Sequence, residues 1–268
     1  MERDDHEAAH SGPPLADMAP LVRRAREFAA ARQARSVTRD EPLAPAELTR
    51  RFGFAATGRG KPEVVLSEDV FVELGHPSEA SLSTILATFD PGLVQHGRVT
   101  LVGPDLPSMP RGQRPSFAQV LILAVDHNDL PDPFSLENAQ YLMHRLPGYM
   151  VRSVPGRLWV RVSDKGRAAG LDLFAVGSAL ISAFTSGFSG VKKAEVLFVT
   201  SFRDDVEALS EIAVEAAILS GKHKKLTLGL DGSVECTELN CDSCEEKPVC
   251  DSLRDVVVKR REERRKKK

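Results

Sequence analysis

The sequence lacks the features that would assign it to several large classes of protein. Its 268 residues contain no apolar run long enough to cross a bilayer. Residues 1–14, MERDDHEAAHSGPP, are acidic and polar and do not form the apolar segment of a secretion signal. The stretch GFAATGRGK (53–61) lacks the spacing of a phosphate-binding loop. These absences exclude a helical membrane protein and a P-loop nucleotide hydrolase, and we expect a cytoplasmic chain.

Catalytic motifs are also missing from the sequence. No Ser/His/Asp or Cys/His arrangement typical of nucleophilic catalysis can be recognised, so we assign no catalytic residue and leave open whether the chain is an enzyme. His76, in the segment ELGHPS, could serve as an acid–base group, but a lone histidine in a turn is more often structural.

Cysteine is absent except for one group of four near the C-terminus. Cys236, Cys241, Cys244 and Cys250 follow the pattern C-x4-C-x2-C-x5-C. Four thiolates can hold zinc or an iron–sulfur cluster. Disulfides are disfavoured because such frameworks belong to small exported chains. Zinc sites usually contain two C-x2-C pairs, and this sequence has one, so residues alone leave both metals open.

Charge is distributed unevenly along the chain. The net charge is −2, but the last ten residues, KRREERRKKK (259–268), carry eight basic and two acidic side chains. This tail is typical of a solvated helix end, or of a contact with an acidic partner. Because aromatic residues do not alternate with the basic ones and no binding motif is present, the sequence does not favour a nucleic-acid partner.

Hydrophobic patterning divides the chain into four regions. Residues 1–47 are predicted to form a disordered lead and a short helix, and residues 48–112 a strand-rich part with a helix beginning near Ser78. Residues 113–225 form the α/β core. Residues 226–268 are predicted to contain a hairpin turning at Asp231-Gly232, the four-cysteine module and a basic helical tail.

The core region alternates strands and helices. The apolar runs 118–125, 157–162 and 194–200 are typical of strands, and helices are predicted at 135–144, 171–184 and 206–219. This order predicts an α/β fold with a mostly parallel or mixed sheet flanked by helices, connected by right-handed crossovers.

Four segments of the sequence are similar to one known family. The segments, in chain order, are VELGHPSEAS (72–81), GRVTLVGPDL (97–106), WVRVSDKGRAAGLDLFAVGSAL (159–180) and VLFVT (196–200). In order and spacing they resemble the middle, α/β part of the beta subunit of the carbon monoxide dehydrogenase/acetyl-CoA synthase complex. The resemblance covers residues 64–220.

This resemblance implies an iron–sulfur cluster. In the family a cysteine-rich segment after the middle domain binds a [4Fe-4S] cluster bridged to two nickel positions. Cys241, Cys244 and Cys250 stand at the matching place, and Cys236 would be the fourth ligand from upstream. The family's Cys-Gly-Cys pair, which holds the distal nickel, does not occur in this sequence. We therefore expect a cluster without an intact nickel site, with zinc as the alternative metal.

The resemblance also implies a site for coenzyme A (CoA), which the family's middle domain receives near a tryptophan among arginines. Trp159 is the only tryptophan, and Arg157 and Arg161 share its strand face by the period of two. Arg152 and Arg167 lie nearby in sequence. Arginine pairs with phosphate and indole stacks on adenine, so we predict CoA binding by Arg152, Arg157, Trp159 and Arg161. The alternative is a core tryptophan beside solvated arginines.

Together these expectations describe an iron–sulfur protein related to acetyl-CoA synthase. It would act in or beside carbon monoxide and acetyl-CoA (one-carbon) metabolism of anaerobes, and bind CoA, an acyl-CoA or a partner such as carbon monoxide dehydrogenase or a corrinoid protein. Two alternatives remain. One is a CO-methylating acetyl-CoA synthase subunit that transfers an acyl group to CoA. The other is a zinc-stapled interaction module.

Overall fold

A computed structural model describes most of the first 220 residues and two short strands beyond them. The described residues are 15–44, 46–47, 64–139, 146, 148–154, 157–220, 226–228 and 234–236. The chain divides into two compact units, Met1–Leu219 and Ser220–Lys268.

Unit 1 contains eight strands and five helices among its described residues. The strands are β1 Arg35–Thr38, β2 Val70–Leu74, β3 Ser81–Thr88, β4 Arg98–Val102, β5 Phe117–Val125, β6 Tyr149–Val154, β7 Arg157–Ser163 and β8 Val191–Val199. The helices are α1 Ala19–Ala30, α2 Pro133–Ala139, α3 Asp164–Ala168, α4 Leu173–Gly187 and α5 Arg203–Leu219.

The central sheet has five strands in the order β1-β4-β8-β5-β3. The pairs β4–β8 and β3–β5 are parallel, whereas β1–β4 and β5–β8 are antiparallel. A mixed sheet flanked by helices is therefore confirmed. The predicted parallel crossovers through the three core strands are wrong, because β8 runs antiparallel to β5 and β7 belongs to a second sheet, β2-β7-β6.

Each face of the central sheet is covered by a separate core. Helices α1 and α5 pack on one face, where Val22, Leu86 and Leu209 are buried. Helix α4 and the three-stranded sheet pack on the other, around Phe117 and Phe198. Strand β5 is buried along its whole length, as its continuous apolar run predicts.

The connection from β2 to β3 differs from its prediction. The predicted helix near Ser78 is wrong, since residues 81–88 form β3 and pair with all but the last residue of β5. A short turn occupies residues 76–79, closed by a 2.7 Å hydrogen bond from the Glu79 amide to the His76 carbonyl. Gly75 has φ +60°, and a Cβ there would lie 2.4 Å from the Leu158 carbonyl oxygen. Glycine is therefore required where this connection leaves β2.

Asp105 links the end of β4 to the start of α4. Its carboxylate accepts hydrogen bonds from the amides of Leu106 (2.7 Å) and Leu173 (2.8 Å), while Asp172 caps the same helix at Ala175. Burial raises the pKa of Asp105, and the two amide donors oppose that rise. Asp105 thus holds the start of α4 against the end of β4.

Unit 2 contains one antiparallel pair of strands among its described residues. Strands β9 (Leu226–Leu228) and β10 (Val234–Cys236) pair Leu228 with Val234 and Leu226 with Cys236. This pair lies where the sequence predicts the two strands of a hairpin. The predicted turn between them, the other three cysteines and the basic tail lie outside the described residues. Within the part of the chain that the structure describes, no helix is long and apolar enough to cross a membrane.

Candidate functional site

Strand β7 presents a polar row on the side facing away from the core. Leu158, Val160 and Val162 are buried, Trp159 and Arg161 are half-buried, and Arg157 is exposed. The alternation matches the period of two expected from the sequence. The strand's apolar residues thus anchor it, while the alternate positions are available for contacts near solvent.

A buried carboxylate holds this polar row in place. Glu73, on β2, is only 6% exposed and pairs in register with Arg161. The Arg161 Nε donates a 2.7 Å hydrogen bond to Glu73 Oε1, and the Arg114 Nε lies 3.0 Å from Glu73 Oε2. A buried carboxylate is stable only when such partners compensate its charge.

The indole of Trp159 stands at the centre of the cluster. The Arg161 guanidinium lies over the ring at 4.7 Å from its centroid, a cation–π contact. The His76 ring meets the indole edge-on at 5.9 Å. The amide of Ser78 donates to His76 Nδ1 (3.2 Å), so neutral His76 keeps its proton on Nε2, which lies 3.7 Å from Glu73.

These five residues line one pocket. We call Glu73, His76, Arg114, Trp159 and Arg161 the Trp159 site, and they surround a volume of about 250 Å³. Two arginines face a single carboxylate here. The Trp159 site therefore combines an aromatic ring with an excess of positive charge, an arrangement suited to an anionic ligand that carries a flat ring.

Arg157 lies in a neighbouring pocket instead. Its guanidinium donates to the Glu79 carbonyl (3.2 Å). Arg203 of α5 donates to the Ser78 carbonyl (3.0 Å) and pairs with the Glu79 carboxylate (3.2 Å). Both arginines line a pocket of about 300 Å³ that borders the same turn as the Trp159 site.

The remaining arginines singled out from the sequence have different positions. Arg152 of β6 pairs in register with Trp159. The Arg167 guanidinium lies 5.4 Å from the centroid of the Phe71 ring, so this arginine packs against Phe71. Of the arginines predicted around Trp159, the structure brings Arg161 onto the indole and places Arg157 in the adjacent pocket.

Sequence reasoning missed four charged members of this region, Glu73, Glu79, Arg114 and Arg203. Glu73 interrupts the apolar strand VFVEL, and a charge in such a run signals a buried partner. Arg114 and Arg203 carry no local signal, because they reach the region only through the tertiary fold.

The predicted cysteine site lies almost wholly outside the described residues. Cys236 ends β10, and the placement of Cys241, Cys244 and Cys250 is not described. Among the residues that the structure does describe, no group of three or more His, Cys, Asp or Glu side chains could hold a metal ion. The four-cysteine metal site therefore stays a prediction.

Fold and pocket together define an α/β domain with an arginine- and tryptophan-lined site. The family model of the CO dehydrogenase/acetyl-CoA synthase complex beta subunit matches residues 54–205, more than half of the chain. The chain belongs to this family, which confirms the resemblance found in its sequence.

Several relatives are similar over the same part of the chain. Acetyl-CoA decarbonylase/synthase complex subunit beta 1 of Methanosarcina mazei is 30% identical over 169 residues, covering 61% of this chain and 35% of the relative. Subunit beta of Archaeoglobus fulgidus is 26% identical over 167 residues, 61% of this chain and 31% of the relative. The matched region spans about a third of the length of these relatives.

Proposed function

We propose that this protein binds CoA, or an acyl-CoA, at the Trp159 site and acts in or beside carbon monoxide and acetyl-CoA metabolism. The observation that carries the proposal is the cluster of cationic side chains around the single tryptophan. Family membership supports the choice of ligand, because the relatives are named as subunits of an acetyl-CoA decarbonylase/synthase complex.

The charge and exposure of the arginines suit the phosphates of CoA. Arg161 is held by Glu73, whereas the Arg114 side chain is 56% exposed. Arg114 can therefore turn toward a ligand while Glu73 stays paired with Arg161. Arg157 and Arg203 add two cations in the adjacent pocket. A ligand with separated phosphate groups can therefore contact both pockets, with its adenine beside the indole.

The four cysteines are assigned to a [4Fe-4S] cluster, with zinc as the alternative. Four thiolates within one short segment form a donor set that suits either. A cluster would supply one-electron transfer or a structural link. The proposal assigns no acetyl transfer to these residues, since the sequence contains no Cys-Gly-Cys pair for the distal nickel. Carbon monoxide dehydrogenase and corrinoid protein subunits are the proposed partners.

Fluorescence of the only tryptophan tests the CoA site directly. Titration with CoA should quench Trp159, and adenine stacking predicts a weaker response to pantetheine, which lacks the nucleotide. Arg114→Ala and Arg157→Ala should each weaken binding about tenfold, the usual effect of losing one charge-assisted hydrogen bond. Arg24→Ala is the matched control, because Arg24 pairs with Glu215 on the opposite face of the sheet.

Two results would count against the CoA site. One is a fluorescence spectrum and a calorimetric trace that both stay unchanged on adding CoA. The other is equal CoA affinity in the Arg114, Arg157 and Arg24 variants. For the cysteines, anaerobic purification should give a brown protein with about four iron atoms per chain. A colourless protein with one zinc per chain would show that the cysteines form a structural zinc site and not an iron–sulfur cluster.

A further inference from the structure

A third pocket lies on the other face of the central sheet, under helix α1. It has a volume of about 250 Å³ and is unrelated to the Trp159 site. We call it the α1 pocket and define it by Ala25, Arg26, Ala29, Arg98 and Glu195. The side chains of β4 and β8 that line it point toward α1, because they alternate with residues of the opposite core.

Small side chains on α1 create the space. Ala25 and Ala29 are one turn apart and buried, whereas the neighbouring buried positions of the helix carry Val22 and Phe28. Below the alanines, Ile122 and the side chain of Leu197 form an apolar floor. The gap is large enough for several water molecules or for a small organic molecule.

One wall of the α1 pocket is charged. The Glu195 side chain is 3% exposed and accepts a 3.0 Å hydrogen bond from the Gln95 amide. Arg98 Nη2 lies 2.9 Å from Glu195 Oε2, and Arg26 Nε lies 3.2 Å from Oε1. Two guanidinium groups therefore share one carboxylate, which leaves one positive charge in excess at the wall.

Donor groups at this wall are left without acceptors. Among the described residues, the buried Nε–H groups of Arg26 and Arg98 have no hydrogen-bond acceptor, since the ion pair from Arg26 Nε lacks hydrogen-bond alignment. Buried donors without acceptors are uncommon in folded proteins. Burial removes their hydrogen bonds to water, and without a protein acceptor that loss is not compensated. The Nη groups of both guanidiniums donate to Glu195, and Arg98 also donates to the Gln95 side chain, so an anion in the pocket would act by offsetting the excess positive charge.

We infer that the α1 pocket binds a small organic carboxylate. Its carboxylate would pair with Arg26 and Arg98, and its short apolar body would contact Ala25, Ala29 and Ile122. The single excess positive charge matches a monoanion, whereas a phosphate dianion would meet the buried carboxylate of Glu195 uncompensated. The apolar floor favours a ligand with a hydrocarbon part.

Calorimetric titration of the full chain with butyrate tests this inference, with butyramide as a neutral analogue and inorganic phosphate as a hydrophilic anion. Butyrate should bind the unmodified protein and its Arg24→Ala variant equally. Ala29→Leu, which fills the pocket without changing its charge, and Arg26→Gln should each weaken binding about tenfold or more. Arg26 is 30% exposed, so Arg26→Gln keeps the test valid if Ala29→Leu does not fold.

The outcomes separate this pocket from the Trp159 site. Butyrate binding that is unchanged in both pocket variants, or lost in Arg114→Ala, would overturn the inference. If butyramide binds as tightly as butyrate, the ligand need not be an anion. If phosphate binds and butyrate does not, the ligand is not an organic carboxylate. CoA binding is measured by Trp159 fluorescence and butyrate binding by calorimetry. A negative result at one site therefore leaves the proposal for the other site intact.

Discussion

Two buried glutamates, Glu73 and Glu195, each gather two arginines, but they do so in different surroundings. Glu73 lies under an indole and an imidazole in the three-stranded sheet, and Glu195 lies under alanines of α1 in the central sheet. Both carboxylates are almost fully removed from solvent, at 6% and 3% exposure. The charge arrangement is shared, so the neighbouring side chains determine which ligand each pocket suits.

The two sites also differ in how firmly they hold their arginines. At Glu73, Arg161 is fixed and Arg114 is largely exposed, whereas at Glu195 both Arg26 and Arg98 are mostly covered. An exposed arginine can exchange its carboxylate partner for a ligand at little cost, but a covered pair cannot. The Trp159 site is therefore the more adaptable of the two, and the α1 pocket the more rigid.

Removing the Glu195 charge should produce the largest loss of stability. Glu195→Gln leaves two mostly covered guanidinium groups without their counter-ion, and a buried pair broken in this way costs about 3 kcal/mol or more. Urea unfolding monitored by circular dichroism measures the change in the free energy of unfolding. Glu215→Gln, which removes the exposed partner of Arg24, is the control. If Glu195→Gln lowers the free energy of unfolding no more than this control does, burial does not make the Glu195 ion pairs more important.

Glu73→Gln should cost less, about 1–2 kcal/mol, because Arg114 can regain water. It should also change the tryptophan spectrum, since Arg161 exchanges an ion pair for a weaker, neutral hydrogen bond and is held less firmly over the indole. Unfolding in urea gives the stability, and the emission maximum of Trp159 reports the indole's surroundings. An unchanged spectrum would show that Glu73 does not position Arg161.

The sequence predicts the framework of both sites better than their chemistry. Strands β5, β7 and β8 and helices α4 and α5 were recognisable because their apolar periodicity reflects burial, which is a local property of each element. Strand β3 is not recognisable from the sequence, since Ser81–Thr88 mixes small, hydroxyl and aliphatic residues. Its pairing with β5 depends on tertiary contacts. Strand direction was missed for the same reason.

Site composition depends on contacts that no local pattern records. The row Arg157, Trp159 and Arg161 follows from strand periodicity, so that part of the candidate site could be predicted. Arg114 reaches Glu73 from a loop 41 positions further along the chain, and nothing around it indicates this pairing. Likewise the segment AEVLFVT shows a glutamate in a buried strand but not the two arginines that compensate it.

A third acidic residue, Asp205, provides the mildest test, because it pairs with Arg32 at a less buried place. Its carboxylate accepts hydrogen bonds from Ser201 and from Arg32, which lies in the turn after α1. Burial acts to raise the pKa of Asp205, but these donors and the charge of Arg32 outweigh it and hold the pKa below the ordinary 3.8. The stabilisation is therefore complete above that value and is lost as the pH falls through the lower folded pKa.

Asp205→Asn should thus reduce the free energy of unfolding by less than about 1 kcal/mol at neutral pH, because both partners remain partly solvated. The difference from the unmodified protein should shrink as the pH is lowered below 4, since protonated aspartic acid also lacks the charge. Urea unfolding at a series of pH values measures this. A difference that stays constant with pH would show that Asp205 acts through its shape and hydrogen bonds alone, and that the charge of a carboxylate contributes only where, as at Glu195, the side chain is almost fully covered.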